Sequence, residues 1–487
     1  MPKMIYEINT RVWVKRFAGK SKSPKLISVP LAYWKKLKSM GVNYIWLMGI
    51  WKTCESTIGK YCFEDGLIKE YKEALSDWES QDVIGSPYAI DKYEINPKLG
   101  SRADLVKLKQ RLNKIGLKLI LDFVPNHFSA DSSLIKSNPE LFFNGDEIQL
   151  ANDGVTYFKP EVNLSVILAH GRDPYFPAWQ DTVQVNYSSE HAKNKMIEIL
   201  RNAAKFCDGF RCDMAMLPLN EVFANTWNIQ HDSGYEFWEK AICGVKGKYP
   251  DFIFIAEAYW DLEWKLQQLG FDFTYDKKLY DRLLHQNAPG IFEHLKADEN
   301  YKNKSVRFLE NHDESRSANS FDEHKLKAAA IIFSTIPGLT FIHDGQLEGK
   351  KIKLPVQLGR EAIESENTFI SRFYDQLFGI LKNNCIQKGA WKLLNSSEAY
   401  PGDSSHSSIL AWLWIYESQN MLIAVNYSDS TATCRIKLED DFEHPEVHLK
   451  DLLTDEMYIR LRSEITSQGL FVKLPLYSSH IFLFRTD

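Results

Sequence analysis

The chain has 487 residues, 44% hydrophobic and 25% charged, with a formal net charge of −5. This is the balance of a globular protein with a large core and more than one domain. The absence of any long run of one sign argues against a nucleic-acid footprint and a polybasic membrane surface, and no apolar run is long enough to span a bilayer.

Strand-like and helix-like segments alternate from the N-terminus to about residue 385. The first apolar run, Met4 to Val14, starts almost at once, with no basic region, apolar stretch and cleavage site before it. Seven cysteines, odd in number and scattered, contain no CxxC pair or Cys/His cluster. Reduced thiols in a cytoplasmic protein are the expectation.

Leu31, Trp34, Leu37 and Met40 then recur at helical spacing before Gly41. A second strand is predicted at Tyr44 to Ile50. A long connection from Trp51 to about Leu99 follows, then a helical stripe of Leu105, Leu108, Leu112 and Ile115 before Gly116. Lys118 to Val124 is the third strand. After it comes a second long connection, Phe128 to about Ser188, rich in turn-forming residues. Further strands are predicted at Gly209 to Met214, Phe252 to Ala258, Phe271 to Tyr275, Val306 to Asn311 and Leu339 to Asp344. Later helices fall at Lys325 to Phe333 and Phe369 to Leu381.

Eight strands each followed by a helix imply a (β/α)₈ barrel of the TIM type, spanning residues 1–385. The two long connections exceed ordinary βα loops. Both leave the C-terminal ends of strands, where barrel active sites lie, and read as walls of a cleft. The second forms an inserted subdomain at about 128–188 after strand three. From about Trp391 the pattern changes to short strands at Leu410–Trp414, Met421–Val425, Thr433–Ile436, Leu470–Lys473 and His480–Phe484, with no helical pattern between them. Residues 386–487 are therefore expected to form an antiparallel β-sandwich domain.

Four of the barrel strands end in acids: Asp122 in Asp122-Phe-Val-Pro-Asn-His127, Asp213 in Gly209-Phe-Arg-Cys-Asp213, Glu257 in Ala-Glu-Ala, and Asp313 in Asn311-His-Asp313. Carboxylates delivered from separate strand ends to one place are what cleavage of a glycosidic bond needs. Arg211 lies two residues before Asp213 and so shares its face of the strand. A guanidinium there keeps a carboxylate ionised, as a nucleophile must be. Glu257 closes an apolar strand, and partial desolvation suits a carboxyl to donate a proton. Any one of these acids alone is more simply a structural ion pair, a solvated strand end or a helix cap. The joint arrangement is not explained that way. Some of the 13 Trp, 22 Tyr and 28 Phe are further candidates to stack on sugar faces.

With these motifs in order, the chain resembles the α-amylase family. Its Asp-x-x-x-Asn-His, Gly-x-Arg-x-Asp, strand-end Glu and Asn-His-Asp segments are all intact. The resemblance implies that Asp213 is the nucleophile, that Glu257 is the general acid and then base, and that Asp313 stabilises the distorted sugar at the cleaved bond. It implies substrate-binding roles for Tyr88, Asp122, His127, Arg211 and His312, with Asp122 as support and Tyr88 stacking on the sugar. The implied activity is retaining hydrolysis of α-glucosidic bonds, α-1,4 foremost, in maltooligosaccharides or starch- and glycogen-type glucans. A transglycosylase of the same family (a glucanotransferase, a maltosyltransferase or a trehalose synthase-like enzyme) would use the same residues, and an inactive carbohydrate-binding homologue is the reading from another class. Two features depart from the family pattern. The Lys-His pair that usually follows the nucleophile is Met216-Leu217, which leaves the leaving-group contacts open. Trp260, Asp261 and Trp264 are candidates to shape that side. No cofactor is required for the chemistry. Asn126 matches a calcium-binding asparagine of the family, but the rest of a ligand set is not identified, so the metal is left unknown and calcium is not predicted. An α-glucan is the expected partner, with neither nucleic acid nor membrane, and the oligomeric state is left open.

Overall fold

A computed structural model of the protein describes residues 3–18, 24–230, 234–438 and 442–486. Eight parallel strands close into a barrel in chain order: β1 (Lys3–Asn9), β2 (Tyr44–Met48), β3 (Lys118–Phe123), β4 (Gly209–Cys212), β5 (Ile253–Ala256), β6 (Phe273–Tyr275), β7 (Ser305–Arg307) and β8 (Leu339–His343). All eight expected strands are present, and the predicted helices form at Leu31–Ser39, Arg102–Lys114, Glu323–Thr335 and Thr368–Leu381. Alternate strand residues split between two cores, as the period of two requires. Ile5, Trp46, Ile120, Ile255, Tyr275 and Phe341 fill the barrel interior. Tyr6, Leu47, Leu121, Phe210 and Phe254 face the surrounding helices.

Gly209 opens β4 at a place where a side chain would not fit. A Cβ there would lie 2.6 Å from both the Ile120 side chain and the Ile253 carbonyl oxygen, so the strand reaches its two neighbours only without one.

The connection after β2 carries helices Ile58–Tyr61 and Asp65–Ala74 and a short ribbon pairing Trp51–Thr53 with Ile90–Ile95. The connection after β3 carries two small ribbons, His127–Ser129 with Thr182–Gln184 and Tyr157–Phe158 with Leu168–Ala169.

The C-terminal region is antiparallel. One sheet has six strands, in the order Ala390–Leu394, Ile409–Tyr416, Gln419–Asn426, Ser479–Arg485, Glu446–Asp451 and Met457–Leu461. A second sheet has three: Ser396–Ser397, Ala432–Ile436 and Leu470–Leu474. Leu413, Leu422, Cys434, Val472 and Phe482 fill the space between them. The other face of the large sheet, including Trp412, Trp414, Met421 and Ile423, belongs to the same core as the barrel helices. Trp414 Nε1 donates to the Thr335 carbonyl at 2.7 Å.

The expectation of no helix among these strands is corrected by Arg462–Gln468. Only Ile465 of those seven residues is buried, so the helix carries no apolar stripe to read. Glu446–Asp451 and Met457–Leu461 were also not anticipated as strands. Met457–Leu461 buries no residue fully, and an edge strand of that kind lacks the apolar alternation that marks a half-buried one. Among the described residues, no helix is long and apolar enough to cross a membrane.

Candidate active site

Strand register brings the acids together. Arg211 of β4 pairs with Asp122 of β3 on one side and Ile255 of β5 on the other. Cys212 pairs with Ala256, so Asp213 and Glu257 leave neighbouring strands side by side. Arg211, 1% exposed, serves both: Nη1 donates to Asp213 Oδ1 at 2.7 Å, and Nη2 pairs with Glu257 Oε1 at 2.8 Å. Its Nε donates to the Tyr275 hydroxyl at 3.3 Å, and Trp46 and Tyr88 present ring faces to the cation at 5.1 and 5.6 Å.

Glu257 accepts two more hydrogen bonds, from the Met214 N–H at 2.6 Å and the Tyr259 hydroxyl at 2.9 Å. Met214 sits at φ +41°, a left-handed conformation that costs a side-chain-bearing residue free energy and tends to mark functional positions. Here it turns the peptide after the nucleophile toward the acid.

Asp213 is 7% exposed. Burial and the Glu257 carboxylate push its pKa up to about 7, against the pull of Arg211. Arg211 favours the ionised form, as its place on the strand implies, but burial and the second carboxylate outweigh it.

On the other side of the mouth, Asp313 is half-exposed and lies 3.1 Å from His312 Nε2. That nitrogen is also 2.7 Å from the Tyr88 hydroxyl, and the two rings stack at 5.5 Å. His312 Nδ1 is 2.5 Å from Glu7 Oε1 of β1. Burial opposes a charge on His312, but Asp313 and Glu7 outweigh it and hold the imidazole protonated well above its usual range. In turn His312, with Arg211 and Lys353 assisting, holds Asp313 well below the usual carboxylate range.

His127 is buried, which lowers its pKa to about 3 and keeps it neutral. Its Nδ1 is buried and has no hydrogen-bond partner in the protein. Asp122 is placed differently from a sugar ligand. Its oxygens accept from Trp46 Nε1 at 2.9 Å and the Gly49 N–H at 2.7 Å. Gly49 takes φ +77° to present that N–H. Asp122, 2% exposed, therefore fastens the turn after β2 behind the site, as support.

Arg316, three residues after Asp313 in the sequence, turns away from it and pairs with buried Glu310 at 2.6 Å. Met216 and Leu217 are buried and present nothing to a leaving group. That side is formed by Trp260 and Asp261, both at φ +64°, and by Tyr175, which stands 67% exposed and meets the Trp260 ring edge-on at 5.0 Å.

Asn126 does not fit a calcium site. Its amide exchanges hydrogen bonds with that of Gln184, Nδ2 to Oε1 at 3.2 Å and Oδ1 from Nε2 at 2.9 Å. Its carbonyl oxygen, the atom a calcium ion would take, is thus engaged by Gln184.

Sequence reasoning missed Glu7, Tyr259, Met214 and Tyr175. Glu7 left one trace, a lone carboxylate inside the apolar run Met4-Ile5-Tyr6-Glu7-Ile8.

Comparison with known proteins agrees with this construction. Residues 29–146 match the family model for the α-amylase catalytic domain. Over 305 residues the chain is 25% identical to Alpha-amylase 3 of Dictyoglomus thermophilum, covering 58% of this chain and 57% of that protein. Over 182 residues it is 26% identical to an α-1,4-glucan:maltose-1-phosphate maltosyltransferase of Pseudomonas aeruginosa, covering 36% and 23%. The crystal structure of a noncanonic maltogenic α-amylase, AmyB, from Thermotoga neapolitana superposes with a TM-score of 0.70 at 21% identity, over 99% of this chain and 98% of that one. In fold the chain is similar to this solved α-amylase, and over residues 29–146 its sequence is similar to the α-amylase catalytic domain. It spans less than two thirds of the length of the curated relatives it matches first.

Proposed function

We propose that the protein is a retaining glycoside hydrolase that cleaves α-glucosidic bonds, α-1,4 foremost, in maltooligosaccharides or starch- and glycogen-type glucans. The observation that carries this reading is the shared guanidinium, with Asp213 and Glu257 on the two ends of Arg211 at 2.7 and 2.8 Å. One planar fork keeps the two carboxyl groups close. This favours the ~5–5.5 Å separation of a retaining pair over the ~6.5–9.5 Å gap that admits an attacking water between acid and base.

Asp213 attacks the anomeric carbon as Glu257 gives its proton to the departing glycosidic oxygen, forming a covalent β-glycosyl intermediate. Glu257 then takes a proton from water, which attacks the same carbon and releases Asp213. Asp313, ionised by His312, bonds hydroxyls of the sugar that distorts. Tyr88 stacks on that sugar, and His127 lines the same site.

The protein in purified form, incubated with maltooligosaccharides and starch, should raise reducing ends in step with substrate loss. No turnover on any α-glucan would overturn the reading. Transglycosylation is the second reading, favoured by the apolar leaving-group side, where Trp260 and Tyr175 stand and Met216-Leu217 are buried. A sugar acceptor stacks there where water gains nothing. Products longer than the starting oligosaccharide would establish it.

The pH profile follows from Asp213, which must be ionised to attack. Burial and the neighbouring Glu257 carboxylate raise its pKa to about 7, so turnover should fall as pH drops through about 7. A kcat/KM profile flat through neutrality would contradict the assignment.

A further inference from the structure

The two ends of the cleft are unequal. Glu257 must stand beside the oxygen that departs, so the leaving group lies toward β5. Asp313, His312 and Tyr88 lie toward the sugar that stays on the enzyme, the half of the ring made by β7, β8, β1 and β2.

On that half the connections after β2 and β8 are fused into one lobe. Tyr71, Leu75 and Val83 from the first and Leu358 from the second share a small core of their own. Val83 and Leu358 form a β-bridge. The Ile84 N–H donates to the Gln357 carbonyl at 2.8 Å, and the Gly359 N–H to that of Asp82 at 2.7 Å. Arg360 pairs with Asp77 at 3.1 Å and Asp82 at 2.8 Å. Buried Arg11, just after β1, bonds both connections at once, the Gly85 carbonyl at 2.8 Å and the Val356 carbonyl at 2.6 Å.

The lobe also reaches the site. It carries Tyr88 on one connection. On the other, Lys353 donates to the Asp313 carbonyl, and the Ile352 carbonyl accepts from Arg316 Nε at 3.4 Å. Tyr88 and Asp313, which the proposed mechanism sets against the sugar that is cleaved, are thus both tied to the lobe.

We propose that the lobe closes the glycone end of the cleft, so that the enzyme takes α-glucans by their non-reducing ends and releases short, uniform products. The inference rests on the glycosidase or transglycosidase reading of the same site.

Chromogenic maltoheptaosides test it, one with a free non-reducing end and one capped there by a 4,6-ethylidene group. The free substrate should turn over at least ~100-fold faster than the capped one, since a clash at a closed end is worth several factors of ten. Equal rates would overturn the inference and leave the catalytic reading standing. No turnover of either would overturn the catalytic reading, and the inference with it. The double variant Leu358→Ala/Arg360→Ala loosens the lobe away from the acids. It should reduce discrimination against the capped substrate about tenfold relative to the parent. Unchanged discrimination in a folded variant would show that the lobe is not the barrier.

Discussion

Asp213→Ala will lower kcat on maltooligosaccharides by ~10⁴-fold or more, about 5.5 kcal/mol of barrier, while substrate binding changes little. No other group in the site can form the covalent bond. Glu257 is held by the Met214 N–H, the Tyr259 hydroxyl and Arg211, and Asp313 lies beyond His312. Removal of the side chain also opens a small space on the face from which Asp213 attacks. Azide added to the variant should enter that space and yield a β-glycosyl azide, one inversion instead of two. Formation of the azide product separates loss of a nucleophile from loss of folding. A variant that keeps a tenth or more of parental kcat would remove Asp213 from its role.

Arg211→Ala is expected to cost ~3–5 kcal/mol of stability at neutral pH, because it strands two buried carboxylates without their cation. The sign of the pH dependence is fixed by which form is penalised. Without the guanidinium, the folded-state pKa of Asp213, already raised by burial, rises further, so protonation in acid relieves the variant. Its deficit should shrink as pH falls and be largest above neutrality. Urea midpoints at two pH values measure this. A deficit independent of pH would assign the loss to packing instead, against the Trp46, Tyr88 and Tyr275 rings that surround the cation.

The barrel was legible because each strand is an apolar run closed by turn or polar residues, and the helices between them keep a 3.6-residue stripe. The acids were legible because they interrupt that apolarity at strand ends. What sequence could not supply was pairing across the ring. Glu7 holds His312 from 305 residues away, and only closure of β8 against β1 brings them together. The same blindness applied to Arg316, near Asp313 in sequence yet turned to Glu310 in space. It applied to Asp122, whose motif position reads as a ligand although Trp46 and Gly49 occupy both its oxygens. Electrostatics escaped for a related reason. Spacing shows that Arg211 faces Asp213, but not that its other arm is committed to Glu257, and that second commitment leaves the nucleophile near neutrality.

The large C-terminal sheet has no solvent-facing side of its own at Trp412, Trp414 and Ile423, which lie in one core with the barrel helices. Neither half therefore keeps a complete interior once the other is gone. Apolar area shared in this way couples the melting of two regions, so heating should unfold sandwich and barrel in a single calorimetric transition. Two resolved transitions would show them to be independent. The sandwich is in this sense a permanent outer wall of the barrel, and its first consequence for catalysis is thermal endurance.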